Sequence, residues 1–257
     1  MFNLHQENKV SVLTIIHNSL KGLLDILYPR LCFACNKSLH EEENIFICEC
    51  CLEKIKKSEF ERCGKCGFEL GPGIISSKKG CPECENINLR FERSFFISDY
   101  KGPLKELIHQ YKYKKHECLA KPLGDLLINR LSHQGIISEI EIIVPTPIYW
   151  KKKLKRGFNQ SELMTKRICK KLSIPISINN LCRIKNTLPQ TQLSRIQRQK
   201  NIHNAFKIKK PKEFIEKQVL LVDDVLTTGI TASECAKHLK DAGAKKVYLL
   251  ALSRAKL

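Results

Sequence analysis

No run of about 18 apolar residues occurs anywhere in the chain, so no transmembrane segment is expected. Aromatic residues are scarce, 7% with a single Trp, which leaves few platforms for stacking nucleic-acid bases. No GxxxxGK[ST] run occurs and no GxGxxG follows a strand, which excludes a P-loop and a dinucleotide-binding turn. Acidic residues nearly vanish between Pro145 and Lys212, where Glu162 stands alone among 18 Lys and Arg. The opening MFNLHQENKV places polar and acidic residues where a secretory leader carries its basic region. A cytoplasmic, reducing location is therefore expected.

What is present is globular. The chain has 257 residues, 42% of them hydrophobic, which suits one large domain and one small one. The net charge is +19, and the Pro145–Lys212 band supplies +17 of it. A basic band on a near-neutral body fits a polyanionic partner: phosphates, nucleic acid or an anionic membrane. A merely solvated basic face is the plainer alternative.

Thirteen cysteines are distributed unevenly, nine of them between Cys32 and Cys84. They form four CxxC turns: Cys32/Cys35, Cys48/Cys51, Cys63/Cys66 and Cys81/Cys84. Four thiolates satisfy a tetrahedral zinc ion, and CxxC puts two of them on one tight turn. Two structural Zn2+ sites are expected, Cys32/Cys35/Cys48/Cys51 and Cys63/Cys66/Cys81/Cys84, because that pairing keeps the enclosed loops short. Gly64 and Gly67 supply backbone freedom at one turn. Cys50 is a spare thiol. An iron–sulfur cluster is the alternative metal group.

Residues 1–29 read as an amphipathic helix, with Val12, Leu13, Ile16, Leu20, Leu23, Leu24 and Leu27 forming its apolar stripe. Residues 30–90 hold the cysteine turns. Residues 91–257 alternate between strands and helices. Strands are expected at Ser94–Ser98, Ile140–Val144, Gln218–Val222 and Val247–Leu252. Helices are expected at Leu104–Tyr113, Leu119–Leu131, Gln160–Leu172 and Ala232–Ala242. The fold class is therefore α/β, a parallel sheet with helices on both faces. Polar, basic Arg183–Lys210 breaks the pattern and reads as a long mobile loop or an irregular excursion.

The most informative run is Val219-Leu-Leu-Val-Asp-Asp-Val-Leu-Thr-Thr-Gly229. Its apolar half is a buried parallel strand, with Asp223 and Asp224 at the C-terminal end, where open α/β sheets bind ligands. Two carboxylates there can accept hydrogen bonds from vicinal hydroxyls. The turn Thr227-Thr228-Gly229, with Thr231 behind it, opens a helix whose N–H groups can hold a phosphate. A diol beside a phosphate means a ribose 5-phosphate. A helix cap with two turn carboxylates is the plainer reading of the same residues.

This run resembles the phosphoribosyl pyrophosphate (PRPP) motif of type I phosphoribosyltransferases. Further segments resemble the ComF family of competence-related proteins: Gly102-Pro-Leu-Lys-Glu-Leu-Ile108 with Lys112-Tyr113, Pro145-Thr-Pro147, Arg156-Gly-Phe-Asn-Gln160, and Thr187 through Phe206. The resemblance runs from about Leu27 to Arg254 and implies a double zinc ribbon ahead of a phosphoribosyltransferase-like domain. It implies PRPP contacts at Asp223, Asp224, Val225, Leu226, Thr227, Thr228, Gly229 and Thr231, with Mg2+ accompanying PRPP. Arg156 and Asn159 fall near the pyrophosphate loop of the resemblance and are expected PRPP contacts, since Gly157 frees the backbone beside them.

The family resemblance further implies a role in taking up single-stranded DNA during natural transformation, with DNA-uptake machinery proteins as possible partners. Lys151, Lys152, Lys153, Arg195 and Arg198 are the candidate DNA contacts. Phe158, Phe206, Tyr149 and Trp150 are the candidate stacking residues. A different class of function is open: an active phosphoribosyltransferase that displaces pyrophosphate from PRPP onto a base or amine. The histidines form no catalytic set, with His109, His133 and His238 scattered along helices. No acceptor site is legible.

Overall fold

The computed structural model describes residues 29–39, 46–56, 61–71, 73–77, 80–85, 89–187 and 195–255. The helix expected over 1–29 lies outside the described residues, Pro29 excepted. Two short helices sit in the cysteine block, α1 (Glu49–Lys56) and α2 (Pro82–Glu85).

A parallel sheet follows, built from β1 (Ser94–Asp99), β2 (Ile142–Pro145), β5 (Gln218–Leu226) and β6 (Lys246–Arg254), in the order β1-β6-β5-β2. A single parallel bridge, Ile143 to Ile176, extends it beyond β2. The connecting helices are α3 (Gly102–Tyr113), α4 (Ala120–Ser132), α5 (Trp150–Arg156), α6 (Gln160–Leu172) and α8 (Ile230–Asp241).

Burial explains the unbroken apolar runs of the central strands. Ile143, Leu220, Val222, Leu250 and Leu252 face α3, α4 and α6 in one core. Ile142, Val144, Val219, Leu221, Val247, Leu249 and Ala251 face α8 in another. A strand covered on both faces has no polar alternation. Each large side chain buried this way contributes about 1.5–3 kcal/mol.

The two cysteine clusters divide along the same line. Cys32, Cys48 and Cys51 join the first core with Phe95, whereas Cys63, Cys66, Cys81 and Cys84 join the second with Phe96. Successive residues of edge strand β1 therefore hold opposite ribbons. Gly67, at φ 69°, lies so close to Phe96 that a Cβ there would stand 1.9 Å from the ring. The Ser94 N–H donates to the Gly64 carbonyl (3.1 Å), and the Ser94 hydroxyl to Lys65 O (2.6 Å).

Of the two forms expected for the basic segment, loop or excursion, its described residues take the second. β3 (Leu181–Arg183) pairs antiparallel with β4 (Phe206–Ile208), and α7 (Arg195–Ile202) precedes β4. Buried Leu181, Ile202, Ala205 and Phe206 anchor this excursion to the second core. Few apolar residues suffice because they cluster at the strand and helix ends.

Candidate ribose-phosphate site and metal centres

Each cysteine quartet closes on itself, with all its sulfurs within 4.8 Å of one another. Cys35 and Cys48 Sγ lie 3.7 Å apart, Cys63 and Cys84 3.7 Å, and Cys66 and Cys81 3.6 Å. Zn–S bonds of about 2.3 Å in a tetrahedron set neighbouring sulfurs about 3.8 Å apart, so the quartets fit zinc. Four thiolates leave no coordination position for water, which makes both sites structural. The pairing is the separate one, not interleaved, and Cys50 stands exposed outside the quartet. The left-handed turn residue differs between ribbons: Asn36 (φ 58°) after Cys35, Gly67 (φ 69°) after Cys66. Gly64 needs no such conformation.

The second site begins with β5. Pairing with β2 ends at Val222, but pairing with β6 continues to Leu226 opposite Arg254. Asp223 and Asp224 therefore sit inside the strand, held by one neighbour only, at the edge where β2 has stopped. Val225 and Leu226 are strand residues packed into the two cores. Thr227, Thr228 and Gly229 then turn into α8. Gly229 takes φ 79° and accepts the Ser233 N–H at 2.8 Å. Buried Thr228 Oγ1 receives the Ile230 N–H at 3.4 Å, and Thr231 lies in the first turn of α8.

Asp223 Oδ1 accepts from the Ser161 hydroxyl (3.3 Å) and from the Asp224 backbone N–H (2.8 Å). Burial and the neighbouring Asp224 charge push the Asp223 carboxyl up to about 7. Asp224 is paired with Lys112 Nζ at 2.6 Å, both side chains being largely buried. Burial opposes the Lys112 charge, but the Asp224 carboxylate outweighs it and raises its pKa.

Above these carboxylates stands the start of α6. Asn159 caps it, accepting the Ser161 N–H (3.2 Å) and donating to Thr146 O (3.1 Å). Its amide is thus engaged in joining the β2 exit to α6. Arg156 donates to Gln160 Oε1 at 2.5 Å and lies over the Tyr113 ring. Arg183 donates to the Thr187 hydroxyl, and Lys152 to the Thr187 carbonyl (3.2 Å). Burial, reinforced by Arg183 and Arg156, lowers the Lys152 pKa. Three buried atoms of this region have no hydrogen-bond partner among the described residues: Thr146 Oγ1, Gln160 Nε2 and Arg183 Nε.

Residues 151–156, near the expected pyrophosphate loop, form helix α5. Lys151 is exposed over the Trp150 ring, and Lys153 pairs with Glu162 at 2.9 Å. Arg195 and Arg198 fall on α7, with their side chains outside the described residues. Of the stacking candidates, Phe158 and Phe206 are buried, while Trp150 is 55% exposed. Ser161, Gln160, Lys112, Thr146 and Arg183 were given no individual role by the sequence. Four of them lie in or next to the quoted motifs, and that proximity was the available signal.

Comparison with known proteins supplies the class first. Residues 23–85 match the family described as Double zinc ribbon domain, and residues 160–256 match the Phosphoribosyl transferase domain. The fold is accordingly a phosphoribosyltransferase-like parallel sheet behind a double zinc ribbon. Competence protein F of Haemophilus influenzae is 33% identical over 87% of this chain and 96% of its own. DNA utilization protein YhgH of Escherichia coli K12 is 29% identical over 88% of this chain and 97% of its own. The chain belongs to the ComF family. Among solved structures, a glutamine PRPP amidotransferase from B. subtilis is 17% identical, with a TM-score of 0.37. It matches 55% of this chain and 30% of that one. Among the described residues, no helix is long and apolar enough to cross a membrane.

Proposed function

We propose that this ComF-family chain binds PRPP with Mg2+ at the end of β5 and assists the uptake of single-stranded DNA in natural transformation. The observation that carries the reading is Asp223 and Asp224 held at the open end of a parallel strand, directly ahead of a Thr-Thr-Gly turn into α8. The carboxylates take the ribose hydroxyls. The N–H groups of Thr228 to Thr231 and the threonine hydroxyls take the 5-phosphate. Arg156, Lys152 and the exit of β2 around Thr146 and Asn159 face the pyrophosphate. Mg2+ bound with the ligand would offset part of the pyrophosphate charge. Unpartnered Thr146 Oγ1, Gln160 Nε2 and Arg183 Nε are polar groups such a ligand would satisfy.

The DNA role draws on the relatives named for competence and DNA utilization, and on the basic band. Lys151 beside exposed Trp150 on α5 offers phosphate and base contacts together. Lys152 and Lys153 follow on the same helix, and Arg195 and Arg198 belong to the same basic stretch of sequence.

Transfer of the phosphoribosyl group to a base or amine is the second reading. Asp223, pushed up to about 7, can take a proton from an attacking nitrogen near neutral pH. Titration calorimetry with PRPP and Mg2+ tests the first reading. Asp223→Ala with Asp224→Ala should abolish the heat of binding while circular dichroism stays unchanged. Equal binding by parent and double variant would refute the site. Pyrophosphate release over a panel of acceptors tests the second.

A further inference from the structure

A cleft of about 480 Å3 lies where the second ribbon meets the C-terminal edge of the sheet, apart from the proposed PRPP contacts. Its volume falls within the roughly 300–1,000 Å3 usual for small-molecule pockets. Arg62, Phe68, Glu69 and Ile74 form the ribbon wall, and Glu83 lies on α2. Asp99 and Arg254 end β1 and β6 on the sheet side.

The anomaly in this cleft is Arg254. It is only 7% exposed, and its Nε and Nη1 groups have no hydrogen-bond partner among the described residues. A buried guanidinium ordinarily faces an acid, and Asp99 is its register partner on β1. Yet the Asp99 carboxylate is taken by Arg62 Nη2 at 2.8 Å, with Lys101 3.6 Å away. The fold therefore aligns a donor that no described residue satisfies. A buried donor without a partner is rare in folded proteins and marks a place for a ligand or water.

The rest of the lining narrows the ligand. Arg254 requires hydrogen-bond acceptors. Glu69 and Glu83 repel a bare anion such as phosphate and instead accept from N–H groups. Phe68 and Ile74 offer an apolar wall that suits a flat ring. An uncharged planar molecule bearing both C=O and N–H groups meets all three conditions. We propose that this cleft binds a nucleobase or its nucleoside, oriented by Arg254. Leu226 lies opposite Arg254 in the sheet, so the ligand sits one strand from the carboxylates of the diol motif. The inference holds whether or not PRPP binds there.

The test uses the full-length, zinc-loaded protein. Adenine, hypoxanthine, cytosine, uracil and their nucleosides are titrated by saturation-transfer NMR and calorimetry, alongside a short single-stranded oligonucleotide. At least one free base or nucleoside should bind saturably. Arg254→Met should weaken that binding about tenfold or more, because the acceptor loses its charged donors. Ile74→Trp, at the cleft's exposed wall, should weaken it as well by filling the space. Both variants should keep the parent's zinc content and circular dichroism. If Arg254→Met fails to fold, Ile74→Trp decides alone. Absence of saturable binding by every free compound overturns the proposal, as does equal binding by parent and variants. Binding of the oligonucleotide alone overturns it too. PRPP is measured in parallel: base binding without PRPP binding leaves the cleft standing and removes the PRPP reading, and the converse removes the cleft alone.

Discussion

Lys112 Nζ lies 2.6 Å from Asp224 Oδ1, so one carboxylate of the diol motif is occupied by a cation from a helix more than a hundred residues earlier in the chain. The two side chains are 17% and 13% exposed, a setting where solvent screens little. Removing the ammonium leaves Asp224 largely buried beside Asp223 without that counter-charge. Lys112→Met should lower stability by roughly 1–3 kcal/mol. Thermal denaturation measures it, and an unchanged midpoint would show the pair to be incidental.

Asp223 makes the ligand-free fold sensitive to pH. Its carboxyl is raised by burial and by Asp224 from 3.8 to about 7 in the folded chain. A raised acid contributes stability that is complete below the unfolded value and is lost as pH rises through the folded one. From about pH 4 to about 7, then, stability should fall on this residue's account, by at most about 1.4 kcal/mol per unit. Asp223→Asn keeps an acceptor for Ser161 and removes the charge. It should match the parent near pH 4 and exceed its melting temperature at pH 8. Parallel pH profiles for the two proteins would refute the assignment.

Zinc content should be close to two ions per chain, one per quartet. Cys63→Ser should bring it near one, because an altered tetrahedral site holds metal poorly. Cys50→Ser should leave it at two, since that thiol stands outside the quartet. Elemental analysis of purified protein reads all three. Loss of a metal on removing Cys50 would mean that the quartets are drawn wrongly.

Single-stranded DNA binding should depend steeply on salt, with a log–log slope of about −0.7 per phosphate neutralised. Replacing Lys151 by Gln should flatten the slope, and replacing Trp150 by Ala should weaken binding at every salt concentration. Replacing Arg156 should weaken PRPP binding first. Fluorescence anisotropy at several salt concentrations separates the three. No binding at low salt would exclude direct contact between this chain and DNA.

Local chemistry was readable where it repeats or alternates. Four CxxC turns define their own partners because four sulfurs and one tetrahedral ion admit few short-loop solutions. The strand Gln218–Val222 was legible from its apolar run. Its extension to Leu226 was not, because Asp223 and Asp224 look like turn residues until β6 supplies hydrogen bonds opposite them. The excursion from Leu181 to Ile208 escaped for a related reason. Its hairpin and helix are short, and long-range packing of Leu181, Ile202, Ala205 and Phe206 helps hold them. The Lys112–Asp224 pair, 112 positions apart, has no local trace at all. Lys151–Arg156 is a basic run with a single apolar residue, Leu154, so its helix has little local trace.

The contact between Ser94 N–H and Gly64 O has a consequence for handling and for the cell. Among the described residues β1 pairs with β6 on one side only, so its other side is the kind of open border along which foreign strands stack. The ribbon loop covers that border at Ser94, and the loop keeps its shape only while its sulfurs are held together. Metal starvation would therefore first reveal itself as self-association, with turbidity and large scattering species appearing while the helices and sheet still give an intact spectrum. Precipitation on chelation would reflect an uncovered border, not a melted core.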